Sequence, residues 1–231
     1  MNDIATKAID TGVEAALATR RSVRGFTSEP VPLDTVRRVL ALASRAPSAT
    51  NTQPWRVHVM TGAALEAFKA ECVAAHAAGQ HWPSEYPYDP PSWPSPYIER
   101  RRQLGWALYG LLGIAKGDRA ASALQHRRNF AFFGAPVGMI VTIGRQLTTG
   151  SYIDVGMFVQ SILIAARGFG LDTCAQAAFI NMHPIIRRRL ALPEDQVVVC
   201  GIALGHADPA EPANALQTIR VPVDEFTTFH A

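Results

Sequence analysis

The sequence predicts a single α/β-type unit, because segments with helical and with strand periodicity alternate along its whole length. The 231 residues are 48% hydrophobic and 18% charged, a balance typical of a soluble folded protein with a substantial core. No internal repeat, low-complexity segment or change of composition marks a domain boundary. We therefore expect one domain over residues 1–231.

The first predicted elements are a helix, a strand and a second helix. In residues 33–46, apolar side chains including Leu33, Val36 and Val39 recur on one helical face. Residues 55–60 (WRVHVM) alternate in polarity, which indicates a strand. Residues 63–78 then predict a helix that ends at a glycine.

The next segment, which we call the flap (residues 80–106), is unlike the rest of the chain. Between residues 81 and 97 it contains six prolines and five aromatic residues, so a regular helix or a central strand is not expected there. A surface linker is one interpretation. A packed cover over a pocket, or an excursion that faces a partner, fits the large aromatic area better.

The second half of the chain predicts two buried strands and two further helices. The strands are residues 134–144 and 197–205, and a short helix begins at HPIIRRRLAL. A longer helix is predicted from Ser151 as N-cap, with Asp154 three residues later. Because residues 155–166 are apolar on almost every side, we expect this helix to be enclosed, most economically by a dimer interface.

Charge and cysteine content narrow the class of protein. A net charge of +3 is too small to indicate a nucleic-acid partner, although it suits anionic small molecules. Three widely spaced cysteines indicate buried thiols in a reducing compartment. The N-terminal sequence has no apolar signal region, and the apolar run at 155–166 is too short for a bilayer, so we expect a cytoplasmic protein without a membrane partner.

A cluster of basic residues near the N-terminus predicts an anion site. The segment ATRRSVRGF carries Arg20, Arg21 and Arg24 around Ser22. Guanidinium groups and a hydroxyl are suited to phosphate, and alternate residues of an extended segment point the same way. Arg20, Ser22 and Arg24 are therefore expected to converge on one ligand, with Arg21 facing elsewhere; a solvated basic loop is the alternative.

A second candidate site is the polar connection APSATNTQPW, residues 46–55. It places five hydrogen-bonding side chains, among them Ser48, Asn51 and Gln53, within six positions. These residue types also form ordinary turns. Their density favours recognition of a ligand that is rich in carbonyls, ring nitrogens and hydroxyls.

Conventional catalytic and metal motifs are absent from the sequence. It contains no G-x-S-x-G, no H-E-x-x-H, no G-x-G-x-x-G and no P-loop, and its seven histidines are scattered. We expect no metal site and no protein nucleophile. The combination of a phosphate clamp, a polar loop and an aromatic flap predicts that a cofactor carries the chemistry.

Five segments in order resemble the FMN-dependent nitroreductase family. They are RRSVRGF, APSATNTQPWRVHV, FGAPVGMIV, DVGMFVQSILIAARGFGLDTCAQAAF and VVVCGIALGHAD, and the resemblance covers nearly the whole chain, from about residue 18 to 221. The resemblance implies an α+β fold with a mixed central β-sheet flanked by helices. It also implies an intertwined homodimer with FMN at the subunit interface.

The resemblance also implies which residues hold FMN. The arginines of the basic cluster would bind the phosphate and the ring edge, and Ser48 and Asn51 would reach the flavin from the other subunit. The backbone of the QAAF segment would pass flavin N5, and Arg220 would close on the phosphate. In this chain the complete set of implied cofactor-binding residues is Arg20, Arg21, Ser22, Arg24, Pro47, Ser48, Asn51, Gln53, Arg128, Gln176, Ala177, Ala178 and Arg220. Many relatives have an acidic residue and a glycine where this chain has Ala177 and Ala178, and the mid-chain contact is placed at Arg128 or Asn129.

The activity implied by the resemblance is a ping-pong reaction in which NADH or NADPH passes a hydride through flavin N5 to an aromatic acceptor. Nitroaromatic compounds are the first choice of acceptor and quinones the second. The flap corresponds to the variable lid of the family, and its neighbourhood supplies the predicted substrate contacts Trp82, Tyr88, Trp93 and Trp106. Two alternatives stay open: another flavin reaction on the same fold (ene reduction, dehalogenation or flavin reduction), and a non-catalytic FMN-binding module.

Overall fold

The protein is an antiparallel β-sheet with helices on both of its faces, as described by a computed structural model of residues 12–230. The helices within these residues are α1 (Val13–Thr19), α2 (Leu33–Ala43), α3 (Gly62–Ala77), α4 (Tyr97–Leu111), α5 (Arg119–Arg127), α6 (Thr149–Arg167) and α7 (His183–Leu190). The strands are β1 (Trp55–Thr61), β2 (Val137–Gly144), β3 (Asp172–Gln176) and β4 (Gln196–Gly205).

The strand order is β1-β2-β4-β3, and each neighbouring pair is antiparallel. The one parallel pairing in the described part of the chain is an isolated bridge between Ser22 and Thr173. The α+β class implied by the resemblance is therefore confirmed, and the sheet is mixed only through this bridge. The α/β-type interpretation from periodicity alone was wrong, because the helices here connect antiparallel strands rather than form parallel crossovers.

Two apolar cores lie on opposite faces of the sheet. Strand β2 is buried along nearly its full length and contributes to both. Its Ile140 packs in the core that contains Phe132 and Phe179, whereas Met139 packs in the core that contains Phe158 of α6. This explains why the strand is a continuous apolar run, since side chains that alternate in direction meet a core on either side.

Helix α6 begins earlier than predicted. Its N-cap is Thr148 rather than Ser151, because Thr148 has an extended backbone and its carbonyl accepts the first helical hydrogen bonds. Asp154 does not serve the helix terminus either. Its carboxylate is buried and accepts the backbone N–H of Ala49, with both oxygens 3.3 Å from the nitrogen.

The 19 residues of α6 also exceed the apolar run seen in the sequence. By length and composition alone this helix could cross a membrane, so the exclusion argued from a short apolar run does not hold. In the fold, Val155, Phe158 and Ile162 of α6 are buried in the core. Ile153 is 62% exposed, so a single chain does not enclose the helix on every side.

Four elements were not predicted: α1, α4, α5 and β3. Helix α4 has no buried residue and α5 has none, so neither carries the apolar stripe by which a helix is recognised. Strand β3 has only five residues, of which three are polar and one is exposed. Leu33, expected on the buried face of α2, is 53% exposed because it is the first residue of the helix, and the preceding Val31 is buried instead.

Candidate functional site

The basic segment after α1 lies along strand β3. Val23 donates its N–H to the carbonyl of Thr173 at 3.0 Å, and its side chain is fully buried. Since alternate residues of an extended segment face opposite sides, Ser22 and its second neighbours turn away from that core. Arg20 and Arg24 are partly buried, whereas Arg21 is exposed.

Arg20, Ser22 and Arg24 all lie near enough to Cys174 of β3 to affect its thiol. Burial raises the pKa of the Cys174 thiol to about 11, while the charge of Arg24, a hydrogen bond with Ser22 and the charge of Arg20 all lower it. No acidic side chain within residues 12–230 forms an ion pair with Arg20 or Arg24. Two guanidinium groups and a hydroxyl with no compensating carboxylate have the charge and the hydrogen-bond donors that suit an anion.

The backbone of this cluster is fixed by the C-terminal part of the chain. The buried side chain of Asn214 accepts the N–H of Arg24 at 2.8 Å. It also donates to the carbonyl of Gly25 at 2.8 Å and to that of Asp208 at 2.9 Å. The hydrogen bonds to Arg24 and Gly25 join parts of the chain that are remote in sequence. Asn214 is thus a positioning residue that no sequence pattern indicates.

Gly25 has no side chain because Glu211 occupies that space. A Cβ atom on Gly25 would lie 2.2 Å from Cγ of Glu211. Glu211 in turn accepts a hydrogen bond from Arg128, with 2.5 Å between Nη2 and Oε2. The structure therefore places the predicted cofactor residue Arg128 in an internal ion pair, with its positive charge balanced. The hydrogen bond and charge of Arg128 hold the pKa of Glu211 below its usual value.

A cavity of about 660 Å³ opens beside the basic cluster. Its wall includes Arg24 and the two predicted residues Ala177 and Ala178. Asn129, which the sequence offered as an alternative to Arg128, also lines it. The volume lies within the range of ordinary ligand sites.

Gln176 lies directly before this wall and is 2% exposed. Its Nε2 donates to the carbonyl of Asn129 at 2.7 Å, whereas its buried Oε1 has no partner in the described part of the chain. This hydrogen bond ties strand β3 to the segment that follows α5. It therefore sets the position of Asn129 relative to Ala177.

Amides, aromatic rings and imidazoles also line the cavity. They include Gln125, Asn181, Tyr109, His81 and His126. Burial and the charge of His81 lower the pKa of His126, so this imidazole is neutral at pH 7. Arg24 on the cavity wall carries a full positive charge. Tyr109, Gln125 and His126 were not predicted as lining residues, because the helices on which they lie, α4 and α5, were not predicted.

The four predicted substrate contacts occupy different environments. Tyr88 lines the cavity, but Trp82, Trp93 and Trp106 do not. Trp82 packs against the core, and Trp93 lies under the guanidinium of Arg101, 4.3 Å from its ring centre. The ring of Trp106 is 63% exposed, because the outer face of α4 carries it.

The polar loop 47–53 has an unusual backbone. Thr50, Asn51 and Gln53 all have φ between 48° and 60°, a left-handed region that costs energy for residues other than glycine. The loop is held by the N–H of Gln53, which donates to Oγ of Ser48 at 3.0 Å, and by the contact of Ala49 with Asp154. Pro47, Asn51 and Gln53 are exposed. Backbone strain of this kind concentrates at functional loops.

Within one chain, two predicted regions stay apart from the basic cluster. No hydrogen bond among residues 12–230 joins the loop 47–53 to Arg20 or Arg24. Arg220 is exposed, and its Nη1 donates to Oγ1 of Thr218 at 2.6 Å. These residues can meet the cluster's ligand only if another chain or a movement of the C-terminal segment brings them there.

The residues present fit FMN. The unpaired guanidiniums of Arg20 and Arg24 match a phosphate, and the adjoining cavity can take a ring system. Gln176, whose buried Oε1 has no partner among residues 12–230, directly precedes the cavity-lining Ala177 in sequence. No group of three His, Cys, Asp or Glu side chains that could hold a metal ion occurs between residues 12 and 230.

The chain is similar over most of its length to known proteins. The family model of the nitroreductase family matches residues 17–206. A 4-nitrobenzoate reductase from Nocardioides sp. (strain LMS-CY) is 43% identical over 219 residues, which cover 94% of this chain and 89% of the relative. A nitrobenzene nitroreductase from Ectopseudomonas oleovorans is 41% identical over 218 residues, covering 94% of this chain and 96% of the relative.

Solved structures give the same result. The FMN and NADPH-dependent nitroreductase NfnB from Sphigopyxis sp. strain HMH has a TM-score of 0.91 and 36% sequence identity, covering 95% of this chain and 99% of that one. The family match includes the basic cluster, the polar loop, the cavity wall after β3 and all four strands. The chain therefore belongs to the nitroreductase family.

Proposed function

We propose that this protein is an NAD(P)H-dependent nitroreductase that binds FMN and reduces nitroaromatic compounds. The observation that carries the proposal is the pair of guanidiniums of Arg20 and Arg24, which form no ion pair within residues 12–230 and of which Arg24 lines a cavity of ring-binding size. Relatives named for nitrobenzoate and nitrobenzene reduction, and a solved relative named as FMN and NADPH-dependent, support the choice of substrate and reductant.

The basic cluster would hold the cofactor phosphate. Arg20 and Arg24 supply charge and Ser22 supplies a hydroxyl, while Asn214 keeps the backbone between them in place. When bound, FMN supplies the two-electron chemistry that accepts hydride from a nicotinamide and delivers it to the acceptor. The backbone at Ala177 and Ala178 would border the ring, because both residues line the cavity next to Arg24.

The cavity would orient the acceptor and exclude water. Side-chain amides of Gln125, Asn129 and Asn181 provide N–H donors for the oxygens of a nitro group. Tyr88 and Tyr109 provide flat surfaces against which an aromatic ring can pack. A quinone presents a similar flat ring with two carbonyl acceptors and is the second substrate class.

The complete site would be formed by two copies of the chain. The half-exposed face of α6, with Ile153 and the partly exposed Met157, is apolar and would be covered by the second copy. The strained loop at Ser48 and Asn51 would then reach the partner's cofactor, and Arg220 would close on a phosphate. We place this single-domain homodimer, with the flap as its substrate lid, in the cytoplasm.

The proposal is tested by kinetics on the FMN-loaded protein. With NADPH or NADH as reductant, a nitrobenzoate or nitrobenzene should be consumed, and the same ring without the nitro group should not. Steady-state rates at varied concentrations of both substrates should give parallel double-reciprocal lines. Reduction of an enone, a haloarene or free flavin in preference to nitroarenes would replace the proposed reaction, and a yellow protein that NAD(P)H does not bleach would refute an enzymatic role.

A further inference from the structure

The flap is anchored by a buried carboxylate. The side chain of Glu85 is 11% exposed, and its Oε1 accepts hydrogen bonds from two arginines. Nη2 of Arg145, at the end of β2, lies 2.5 Å from this oxygen, and Nη2 of Arg187, on α7, lies 3.1 Å from it. His183, also on α7, has its Nδ1 3.8 Å from Oε2.

The two arginines form a receptor whose geometry does not depend on the flap. Arg187 donates from Nη1 to the carbonyl of Pro193 at 2.6 Å and from Nη2 to that of Gln196 at 2.8 Å. Arg145 donates from Nε to the carbonyl of Glu194 at 3.0 Å. The carbonyls of Pro193, Glu194 and Gln196, just before and at the start of β4, therefore hold both guanidiniums in place. The arginine side chains lose little further freedom when the carboxylate of Glu85 binds to them.

Charge balance shows that the carboxylate is well matched to this receptor. Burial raises the pKa of Glu85, but the hydrogen bond from Arg145 and the charges of His183, Arg145 and Arg187 together lower it by more, so that the pKa lies below its usual value. Glu85 is therefore ionised at neutral pH.

Residues on both sides of Glu85 connect its anchored carboxylate to the cavity wall. The hydroxyl of Tyr86 donates to the carbonyl of Val199 at 2.9 Å, and its ring lies edge-on to that of Tyr88 at 6.2 Å. Ser84 donates to the carbonyl of Tyr86 at 2.6 Å. Ser84 and Tyr88 both line the cavity, on either side of the anchored residue.

We propose that Glu85 is a positioning residue, whose ion pairs with Arg145 and Arg187 hold the flap so that Ser84 and Tyr88 form one wall of the acceptor cavity. The statement about the acceptor rests on the proposed function. The anchor itself is a property of the fold, because it joins the flap to β2 and α7 rather than to a ligand.

The chain offers a matched control for this proposal. Glu71 of α3 also pairs with two arginines of α7, Arg188 and Arg189, but it lies outside the flap and the cavity. Glu85→Gln and Glu71→Gln each remove one carboxylate charge from a pair of arginines. Only the first variant removes the anchor.

We expect Glu85→Gln to act on the acceptor and on the flap. If the flap stays in place in only about a tenth of the Glu85→Gln molecules, the apparent affinity of this variant for the acceptor falls about ten-fold. In the FMN-loaded enzyme, KM for 4-nitrobenzoate should rise about ten-fold with a smaller change in kcat, and the dissociation constant for FMN should stay unchanged. Deuterium uptake at residues 82–89 should become faster. Glu71→Gln should show none of these effects.

Arg187→Gln provides a second variant should Glu85→Gln fail to fold, and we expect the same changes from it. Equal kinetics and equal deuterium uptake in the Glu85 and Glu71 variants would overturn the proposal. A wild-type enzyme that reduces no nitroarene would instead refute the proposed function. In that case the exchange rate of residues 82–89 would still decide whether Glu85 holds the flap.

Discussion

Asn214 gives a sharp test of how the anion site is built. Its buried side chain makes three hydrogen bonds, to the N–H of Arg24 and to the carbonyls of Gly25 and Asp208. Asn214→Ala removes all three and leaves the Arg24 N–H without its partner. With a net contribution of about 1 kcal/mol for each bond, the variant should lose about 3 kcal/mol of unfolding free energy.

The same substitution should weaken FMN binding, but only partly. In the variant, Val23 still donates its N–H to the carbonyl of Thr173 at 3.0 Å, and Phe26 donates to that of Phe133 at 3.1 Å. These bonds hold the backbone in position on both sides of Arg24. We therefore expect a smaller loss of FMN affinity than from Arg24→Ala, which removes the charged group itself.

Thermal denaturation and FMN titration measure the two effects. For a domain of this size, about 3 kcal/mol corresponds to a fall in Tm of roughly 6–12 °C. Thr142→Val is a suitable comparison, because the buried hydroxyl of Thr142 in β2 donates to Oε1 of Gln196 at 2.8 Å, and neither residue lines the cavity. An Asn214→Ala variant with unchanged Tm and unchanged FMN affinity would refute the reasoning.

Three further predictions concern packing, thiols and pH. Gly25→Ala should lower the unfolding free energy, measured by chemical denaturation, by about 1–3 kcal/mol, because the new Cβ would meet Glu211. Gly105→Ala should not destabilise α4, because the space around Gly105 is open. Equal stabilities of the two variants would contradict this prediction. Burial raises the pKa of Cys72 to about 12 and of Cys174 to about 11, so a thiol reagent at pH 8 should modify neither of these two buried cysteines until the protein is unfolded. The pKa values of Glu85 and Glu211 are lower in the folded protein than their unfolded value of 4.5. Ionisation of these carboxyl groups therefore stabilises the fold above pH 4.5, and this contribution is lost as the pH falls through the folded pKa values. The urea concentration at the midpoint of unfolding should drop in acid, and less steeply in Glu85→Gln.

The sequence predicted those parts of the site that depend on local pattern. Alternation placed Ser22 between Arg20 and Arg24 on one side of an extended segment, and the structure brings these three to Cys174. Apolar periodicity likewise located α2, α3 and α6. Such features follow from residues that are close together along the chain.

The parts that sequence reasoning missed depend on contacts between distant residues. Asn214 and Glu211 look like ordinary residues of a polar C-terminal loop, yet they hold the backbone of Arg24 and fill the space above Gly25. Arg128 was expected at the cofactor, but its charge is paired with Glu211. No spacing rule links these positions, because the antiparallel sheet and the loops around it bring them together only in the folded chain.

Titration of the purified protein with FMN, followed by quenching of flavin fluorescence, tests the central claim most directly. One FMN should bind per chain. Arg20→Ala and Arg24→Ala should each weaken binding by one to two decades, as expected for the loss of a charge-assisted contact of about 1.5–3 kcal/mol. Arg37→Ala removes an exposed arginine of α2 and should leave the affinity unchanged. A wild-type protein that takes up no FMN, or equal affinity in all three variants, would contradict the account.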